Sequence, residues 1–235
     1  MKKISVIILF ASAFAVIAVN FDIRNEVEFK KCVPDGAKVE KLASGFGFTE
    51  GPTWVSWDGG FLVFSDIPAN ELKKWTRKEV VSTFRHPSQN ANGNLFAKDR
   101  LFSCEHSGRR VAIQTKDKAV ETLVELSVLS RVSLADLKPG TASGTRGSTL
   151  DQFDGKKFNS PNDVAVKSDG TVWFTDPDYG LGGNKKEMEG NLVFRFDPKT
   201  KQLTAVVKDF DKPNGIAFSN DEKKLYIADS GKPKH

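Results

Sequence analysis

The fold is indicated by the stretch Pro161-Asn-Asp-Val-Ala-Val-Lys-Ser-Asp-Gly-Thr-Val-Trp-Phe-Thr-Asp176. It contains two short apolar runs on either side of a Ser-Asp-Gly turn. A polar side chain precedes the first run, and an acidic one ends the second. Two such runs joined by a tight turn predict an antiparallel hairpin of β-strands.

The same pattern occurs three more times, in the stretches Glu50-Gly-Pro-Thr-Trp-Val to Phe64-Ser-Asp66, Asn92-Gly-Asn-Leu-Phe to Phe102-Ser-Cys-Glu105, and Pro213-Asn-Gly-Ile-Ala-Phe to Ile227-Ala-Asp229. From the polar to the acidic residue the spacing is 13 to 16 residues. Further strand-like segments follow, at 71–76, 80–84, 192–196 and 203–207. Four antiparallel strands per unit, repeated about every 40 to 60 residues, predict the blades of a β-propeller. A β-sandwich would also explain short strands, but not why the polar residue recurs at the same place.

The N-terminus carries a targeting pattern. Lys2 and Lys3 precede an apolar run at 4–19, and the chain turns polar at Asn20. A short basic region followed by such a run predicts a secretory signal peptide at 1–19 and export to the periplasm or the medium. The alternative is that the run stays uncleaved as a membrane anchor. A lead-in at 20–37 and the propeller at 38–235 then follow.

Residues 127–150 interrupt the repeat. This segment ends in Lys138-Pro-Gly-Thr-Ala-Ser-Gly-Thr-Arg-Gly-Ser148, which has small residues and no apolar periodicity. Such composition is typical of a loop. We therefore expect an insertion at the surface, between the second and third blades.

The composition argues against several classes of function. The formal charge is +5, but Lys and Arg are mixed with Asp and Glu, with none of the basic, aromatic-rich blocks that bind nucleic acids. Phosphate-binding loops, dinucleotide fingerprints, G-x-S-x-G and H-E-x-x-H motifs are absent from the sequence.

Cys32 and Cys104 would permit one disulfide, but Cys104 lies in a strand-like run where a buried free thiol is expected.

Three polar residues that begin hairpins form the candidate metal site. The innermost strands of a propeller line a central channel, so Glu50, Asn162 and Asn214 should meet at one mouth. One carboxylate and two amide oxygens suit Ca²⁺ or Mg²⁺, and also Mn²⁺ or Zn²⁺. Any single Asn before Gly or Asp could instead cap a turn.

Glu105 and His106 end a strand where they could contact substrate, whereas turn-fixing roles are expected for Asp66, Asp176 and Asp229.

Several longer motifs resemble a known family. They are Phe48-Thr-Glu-Gly-Pro-Thr-Trp54, Phe64-Ser-Asp-Ile-Pro-Ala-Asn70, Ala91-Asn-Gly-Asn94, Cys104-Glu-His-Ser-Gly-Arg-Arg-Val111, Gly155-Lys-Lys-Phe-Asn-Ser-Pro-Asn-Asp163, Trp173-Phe-Thr-Asp-Pro-Asp-Tyr-Gly180 and Lys212-Pro-Asn-Gly-Ile-Ala-Phe-Ser219. In this order they resemble bacterial-type gluconolactonases of the senescence-marker-protein (regucalcin-like) family. The resemblance runs from about residue 38 to 231, apart from the insertion.

The resemblance implies an all-β, six-bladed β-propeller that hydrolyses sugar lactones with a divalent cation, with Ca²⁺ as first choice. It places metal ligands at Glu50 and Asn214, and puts Asn162 near water, substrate and metal. The family's further Asp, a ligand and base from a later blade, has no counterpart before His235. About four blades are therefore expected here, and the catalytic residue stays unassigned.

Two alternatives remain open at this stage. The chain could be a non-catalytic propeller that binds a ligand or a protein partner in its channel, because fold does not determine function. It could also be a related propeller hydrolase with a different ester specificity. The expected partner in the main interpretation is a small lactone, with no nucleic acid and no membrane contact after signal cleavage.

Overall fold

The structure is a computed structural model that describes residues 23–78, 81–123 and 152–231. The predicted signal peptide at 1–19 and the predicted insertion at 127–150 lie outside the described residues. The chain divides into two compact units, Met1–Gly45 and Phe46–His235. Within the described ranges, we find no helix with the length and apolar character needed to cross a membrane.

The described part of the first unit, from residue 23 onward, contains one short helix, α1 (Glu26–Cys32). The Asn25 side chain accepts a hydrogen bond from the Glu28 amide and so caps the free N–H groups of the first turn. Glu26 and Lys30 pair across one turn at 2.8 Å. Local capping and ion pairing thus favour this helix, which lies in the predicted lead-in.

The second unit consists of antiparallel strands. The first sheet contains β1 (Thr49–Val55), β2 (Phe61–Asp66), β3 (Glu71–Trp75) and β4 (Ser82–Arg85). The second contains β5 (Ala91–Ala97), β6 (Arg100–Glu105), β7 (Arg110–Gln114) and β8 (Glu121–Thr122). A small hairpin pairs β9 (Gln152–Phe153) with β10 (Lys156–Lys157). The third four-stranded sheet contains β11 (Val164–Val166), β12 (Val172–Asp176), β13 (Leu192–Asp197) and β14 (Gln202–Val207), and the last pair is β15 (Pro213–Phe218) with β16 (Leu225–Asp229).

The hairpin turns follow the turn chemistry of the sequence. Between β11 and β12, Gly170 has φ of +95° and Asp169 accepts a hydrogen bond from the Thr171 amide at 2.8 Å. Between β13 and β14, Asp197 accepts from the Lys199 amide at 3.0 Å, and Lys201 has φ of +59°. Asp side chains that bind the following backbone stabilise such turns, which confirms the predicted hairpins.

The core lies between neighbouring sheets. Between the second and third sheets, the rings of Phe158, Phe174 and Phe194 pack with centroids 5.0 to 5.2 Å apart. Cys104 is buried in the same cluster as a free thiol, as expected. Burial of one such ring stabilises the folded state by about 1.5–3 kcal/mol, so the face-to-face packing of the sheets contributes to stability.

The order of the inner strands identifies the architecture. β1 lies beside β5, β5 beside β11, and β11 beside β15, so each sheet places its first strand against the first strand of the next. Two facing sheets, as in a sandwich, would not give this sequential arrangement. The described residues therefore form about four blades of a β-propeller, three of them with four strands, which confirms the predicted all-β class.

Candidate metal centre and substrate cavity

A cavity of about 710 Å³ lies where the inner strands converge. The polar residue at the start of each hairpin lines it: Glu50, Asn92, Asn162 and Asn214. His106 also lines the cavity, together with the aromatic residues Phe48 and Tyr179. The three predicted metal ligands are thus brought together, and Asn92 joins them.

Irregular pairing at the ends of the inner strands explains how these side chains reach the cavity. The register shifts between Glu50 and Thr53 in β1, between Ala91 and Asn94 in β5, and between Pro213 and Ile216 in β15. A β-bulge inserts an unpaired residue and turns a side chain out of the regular alternation. Asn92 and Asn214 lie within these irregular segments, and Glu50, which still pairs with Ser65, borders the irregular segment of β1.

The glycine after the polar residue permits close approach between blades. A Cβ at Gly51 would lie 2.4 Å from the Asn92 carbonyl oxygen, and Gly51 has φ of +55°. A Cβ at Gly93 would lie 2.6 Å from the Asn162 carbonyl oxygen, which accepts a hydrogen bond from the Gly93 amide at 2.7 Å. Only glycine fits such contacts, which accounts for the Glu-Gly and Asn-Gly pairs.

Hydroxyl groups on the second strands hold the backbone of the cavity residues. Ser65 Oγ donates to the Asn92 carbonyl oxygen at 2.7 Å, and Thr175 Oγ1 donates to the Asn214 carbonyl oxygen at 2.7 Å. Each hydroxyl comes from the blade that precedes the residue it binds. The main chain at the site is therefore fixed by neighbouring blades, while the side chains stay available.

The side-chain oxygens at the cavity lack partners within the described ranges. Glu50, Asn162 and Asn214 make no side-chain hydrogen bond or ion pair there, and Asn92 bonds only through its amide nitrogen. Asn162 is only 3% exposed, so its free amide faces the cavity and not bulk water. The Glu50 carboxylate and the amide oxygens of Asn162 and Asn214 form a hard donor set that fits Ca²⁺ or Mg²⁺. The same ranges contain no group of three or more His, Cys, Asp or Glu side chains that could hold a metal.

Asp163 is close to the site but is not a free ligand. Its Oδ1 accepts from the Val164 amide and its Oδ2 from the Ile216 amide, both at 2.9 Å. Burial raises the pKa of Asp163, and the negative charge of Glu50 raises it further. Its carboxylate joins the third blade to the fourth.

His106 is a neutral side chain in the cavity wall. Its Nε2 lies 3.3 Å from Asn92 Nδ2, and its ring packs on the backbone of Gly180. Burial lowers the pKa of His106 to about 4, so the ring is uncharged at neutral pH. It can exchange hydrogen bonds with a polar ligand without adding charge.

Glu105, which we grouped with His106 as a substrate contact, is placed elsewhere. It is 1% exposed, and its carboxylate accepts from Arg85 at 3.1 Å and from Arg110 at 2.6 Å. Adjacent strand residues point to opposite faces, so Glu105 faces the interior when His106 faces the cavity. Of the three residues predicted to contact substrate, His106 and Asn162 line the cavity and Glu105 does not.

Similarity to known proteins identifies the family of the chain. The family model for the SMP-30/Gluconolactonase/LRE-like region matches residues 48–234. The chain belongs to this family. A gluconolactonase from Zymomonas mobilis subsp. mobilis is 37% identical over 196 residues, which cover 82% of this chain and 51% of that protein.

Solved structures support the assignment. A gluconolactonase from Xanthomonas campestris superposes with a TM-score of 0.66 at 28% identity, covering 82% of this chain and 57% of that one. A calcium-binding regucalcin from Agrobacterium tumefaciens has a TM-score of 0.52 at 15% identity, covering 83% of this chain and 54% of that one, and shows the shared fold. The chain spans about half the length of these relatives.

Proposed function

We propose that this SMP-30/gluconolactonase family chain hydrolyses sugar lactones with a divalent cation, Ca²⁺ being the first choice. The observation that carries the proposal is that side-chain oxygens of Glu50, Asn162 and Asn214 line one cavity and have no partner among the described residues. The gluconolactonases named above support the reaction class, and the calcium-binding regucalcin supports the choice of cation.

Each cavity residue has a role in this proposal. Glu50 and Asn214 hold the cation, and Asn162 contributes to its site while orienting water or the lactone. A cation bound there supplies Lewis-acid polarisation of the lactone carbonyl. Phe48 and Tyr179, which are 58% and 45% exposed, offer apolar faces to the C–H groups of a sugar ring.

The test compares turnover and metal binding in the same preparations. Proton release from gluconolactone, corrected for spontaneous hydrolysis, is measured with Ca²⁺ and with a chelator. We expect metal-dependent turnover in the unchanged chain and neither turnover nor metal binding in Glu50→Gln. Glu189→Gln is the matched control, because the Glu189 side chain is 91% exposed and lies outside the cavity lining.

Two results would contradict the proposal in different ways. Unchanged metal affinity in Glu50→Gln would remove Glu50 from the site. Binding of metal and lactone without turnover would support the alternative of a non-catalytic propeller.

We also propose that the chain is exported. The support is the pattern of Lys2, Lys3 and the apolar run at 4–19. N-terminal sequencing of the protein recovered from the periplasm or the medium should show cleavage near residue 20. An uncut N-terminus in the membrane fraction would support the anchor instead.

A further inference from the structure

We propose that Asn92 supplies a fourth oxygen to the cation site, and that His106 is the positioning residue that turns the Asn92 amide oxygen toward the cavity. This inference rests on the metal site of the proposed function and adds two residues to it. Neither residue was among the predicted metal ligands.

Asn92 occupies the same structural position as the predicted ligands. It lies in the irregular segment of β5, as Asn214 lies in that of β15, and Glu50 borders the irregular segment of β1. Its carbonyl oxygen is held by Ser65 Oγ at 2.7 Å and by Asn94 Nδ2 at 3.0 Å. The backbone is therefore fixed, and only the side-chain torsions decide which end of the amide enters the cavity.

The contact with His106 selects one end of the amide. Asn92 Nδ2 lies 3.3 Å from His106 Nε2. An amide nitrogen can only donate, so Nε2 must be the acceptor and the ring proton must lie on Nδ1. The opposite end, Asn92 Oδ1, has no hydrogen-bond donor in the described part of the chain and is left for a ligand in the cavity.

His106 is held firmly enough to impose this orientation. It is 6% exposed, and a single Cβ at Gly180 would come within 2.3 Å of the imidazole. The backbone on either side is tied down, because the amides of His106 and Ser107 donate to the carbonyl oxygens of Asn90 and Gln89. The ring cannot turn away without disturbing the wall of the cavity.

The first test reads the ring directly in the unchanged full chain. Nitrogen-15 NMR of labelled histidine at pH 7 should show His106 as the neutral form protonated on Nδ1. In Asn92→Asp the carboxylate cannot donate, so the ring should acquire a proton on Nε2. His86, which is exposed, is the internal reference and should not change. An Nε2-protonated His106 in the unchanged chain would mean that the amide oxygen faces His106, which overturns the inference.

The second test measures Ca²⁺ affinity by calorimetry on folded variants. Loss of a partner that orients a ligand typically costs about 10–100-fold in metal affinity, and we expect this for His106→Phe. Asn92→Leu should lose at least as much. His106→Gln, whose side-chain oxygen can accept from Asn92 Nδ2, should recover much of the affinity, and His86→Phe should match the unchanged chain.

The pattern of results separates this inference from the proposed function. If the unchanged chain binds Ca²⁺, Glu50→Gln does not, and Asn92→Leu binds normally, the metal site stands and the inference is wrong. If Asn92→Leu binds weakly and His106→Phe normally, the positioning role of His106 is wrong. If the unchanged chain binds no cation, the proposed metal site itself fails, and this inference fails with it.

Discussion

At the level of single residues, the contact between Gly180 and His106 sets a strict steric limit. A Cβ at position 180 would lie 2.3 Å from ring atoms of His106. Overpacking of this kind typically costs about 1–3 kcal/mol, so we expect Gly180→Ala to lower the free energy of unfolding by that amount. Urea denaturation measures it. Gly215→Ala, where the nearest atom is 3.8 Å away, should change little, and an equal loss in both variants would contradict the steric explanation.

Asp176 makes stability depend on pH. Its Oδ2 accepts from the Asn159 amide at 2.8 Å, its buried Oδ1 has no partner among the described residues, and burial raises its pKa to about 7. Between about pH 4 and 7 the native state therefore binds more protons at Asp176 than the unfolded state does. The contribution of Asp176 to the free energy of unfolding therefore falls as pH rises through this window. The total fall is about 1.4 kcal/mol for each unit by which folding raises its pKa. We expect Asp176→Asn, which stays neutral, to be more stable than the unchanged chain at pH 8.

A comparison of Asp176→Asn with the unchanged chain isolates the pH dependence that is due to Asp176. His106 has a lowered pKa, so its contribution to stability rises between about pH 4 and 6.5, in the opposite direction. That contribution is common to both chains and cancels in the difference between their urea midpoints at pH 5 and pH 8. Asp154→Asn, in an exposed turn, is the control. If Asp176→Asn showed the same pH dependence as the unchanged chain, Asp176 would not be the titrating group.

At the level of elements, the acidic residues that end the second strands act as anchors for the chain entering each blade. Asp66 accepts from the Gly47 and Phe48 amides, and Asp229 accepts from the Asp211 and Lys212 amides. These bonds reach 17 to 19 residues back along the chain, so they are not the local turn contacts that we predicted, although Asp229 also accepts from the following Gly231 amide. The second blade differs, because its strand-end residue is Glu105, which pairs with two arginines.

Glu105 is accordingly a structural residue. Removal of one member of a buried ion pair typically costs about 3–5 kcal/mol, because the partner charge stays buried. We expect Glu105→Gln to lose this much, measured by urea denaturation, with an unchanged KM for gluconolactone in the fraction that is folded. Glu26→Gln, in an exposed pair of α1, should lose at most about 0.5 kcal/mol. A raised KM at unchanged stability would restore the substrate role to Glu105.

The elements show what a single sequence can and cannot predict. Hairpins, turns and the convergence of Glu50, Asn162 and Asn214 follow from local pattern and from repetition. Glu105 was wrongly predicted to contact substrate. Its partner Arg85 lies in another blade, and no pattern in the nearby sequence indicates an ion pair between residues so far apart in the chain. Asn92 was missed as a candidate ligand although it begins a hairpin as the others do. Its neighbour Gly93 repeats the polar-glycine pair, which is the signal that could have identified it.

At the level of the whole molecule, the proposed cation would bind residues of several blades at once. A ligand that binds only the native state stabilises it by about 2.7 kcal/mol at 100 times its Kd. We expect Ca²⁺ at that excess to raise the melting temperature by several degrees, measured by circular dichroism. The increase should be lost in Glu50→Gln and kept in Glu189→Gln. Equal increases in both variants would mean that calcium acts elsewhere on the protein.

The side chains that line the cavity are different from those that form the apolar core. In three of the four described blades the residue that lines the cavity lies in or beside a register shift of the inner strand, whereas the apolar core is built from buried residues along all the strands. The charge of the site is set by Glu50 alone, since its other donors are neutral amides. Exchange of a single amide for a carboxylate would therefore change the site charge by one without altering a buried apolar residue. In this respect the propeller is a modular scaffold. The charge of the proposed cation site, and with it the preference of the site for one cation over another, can be changed by a substitution in a single blade.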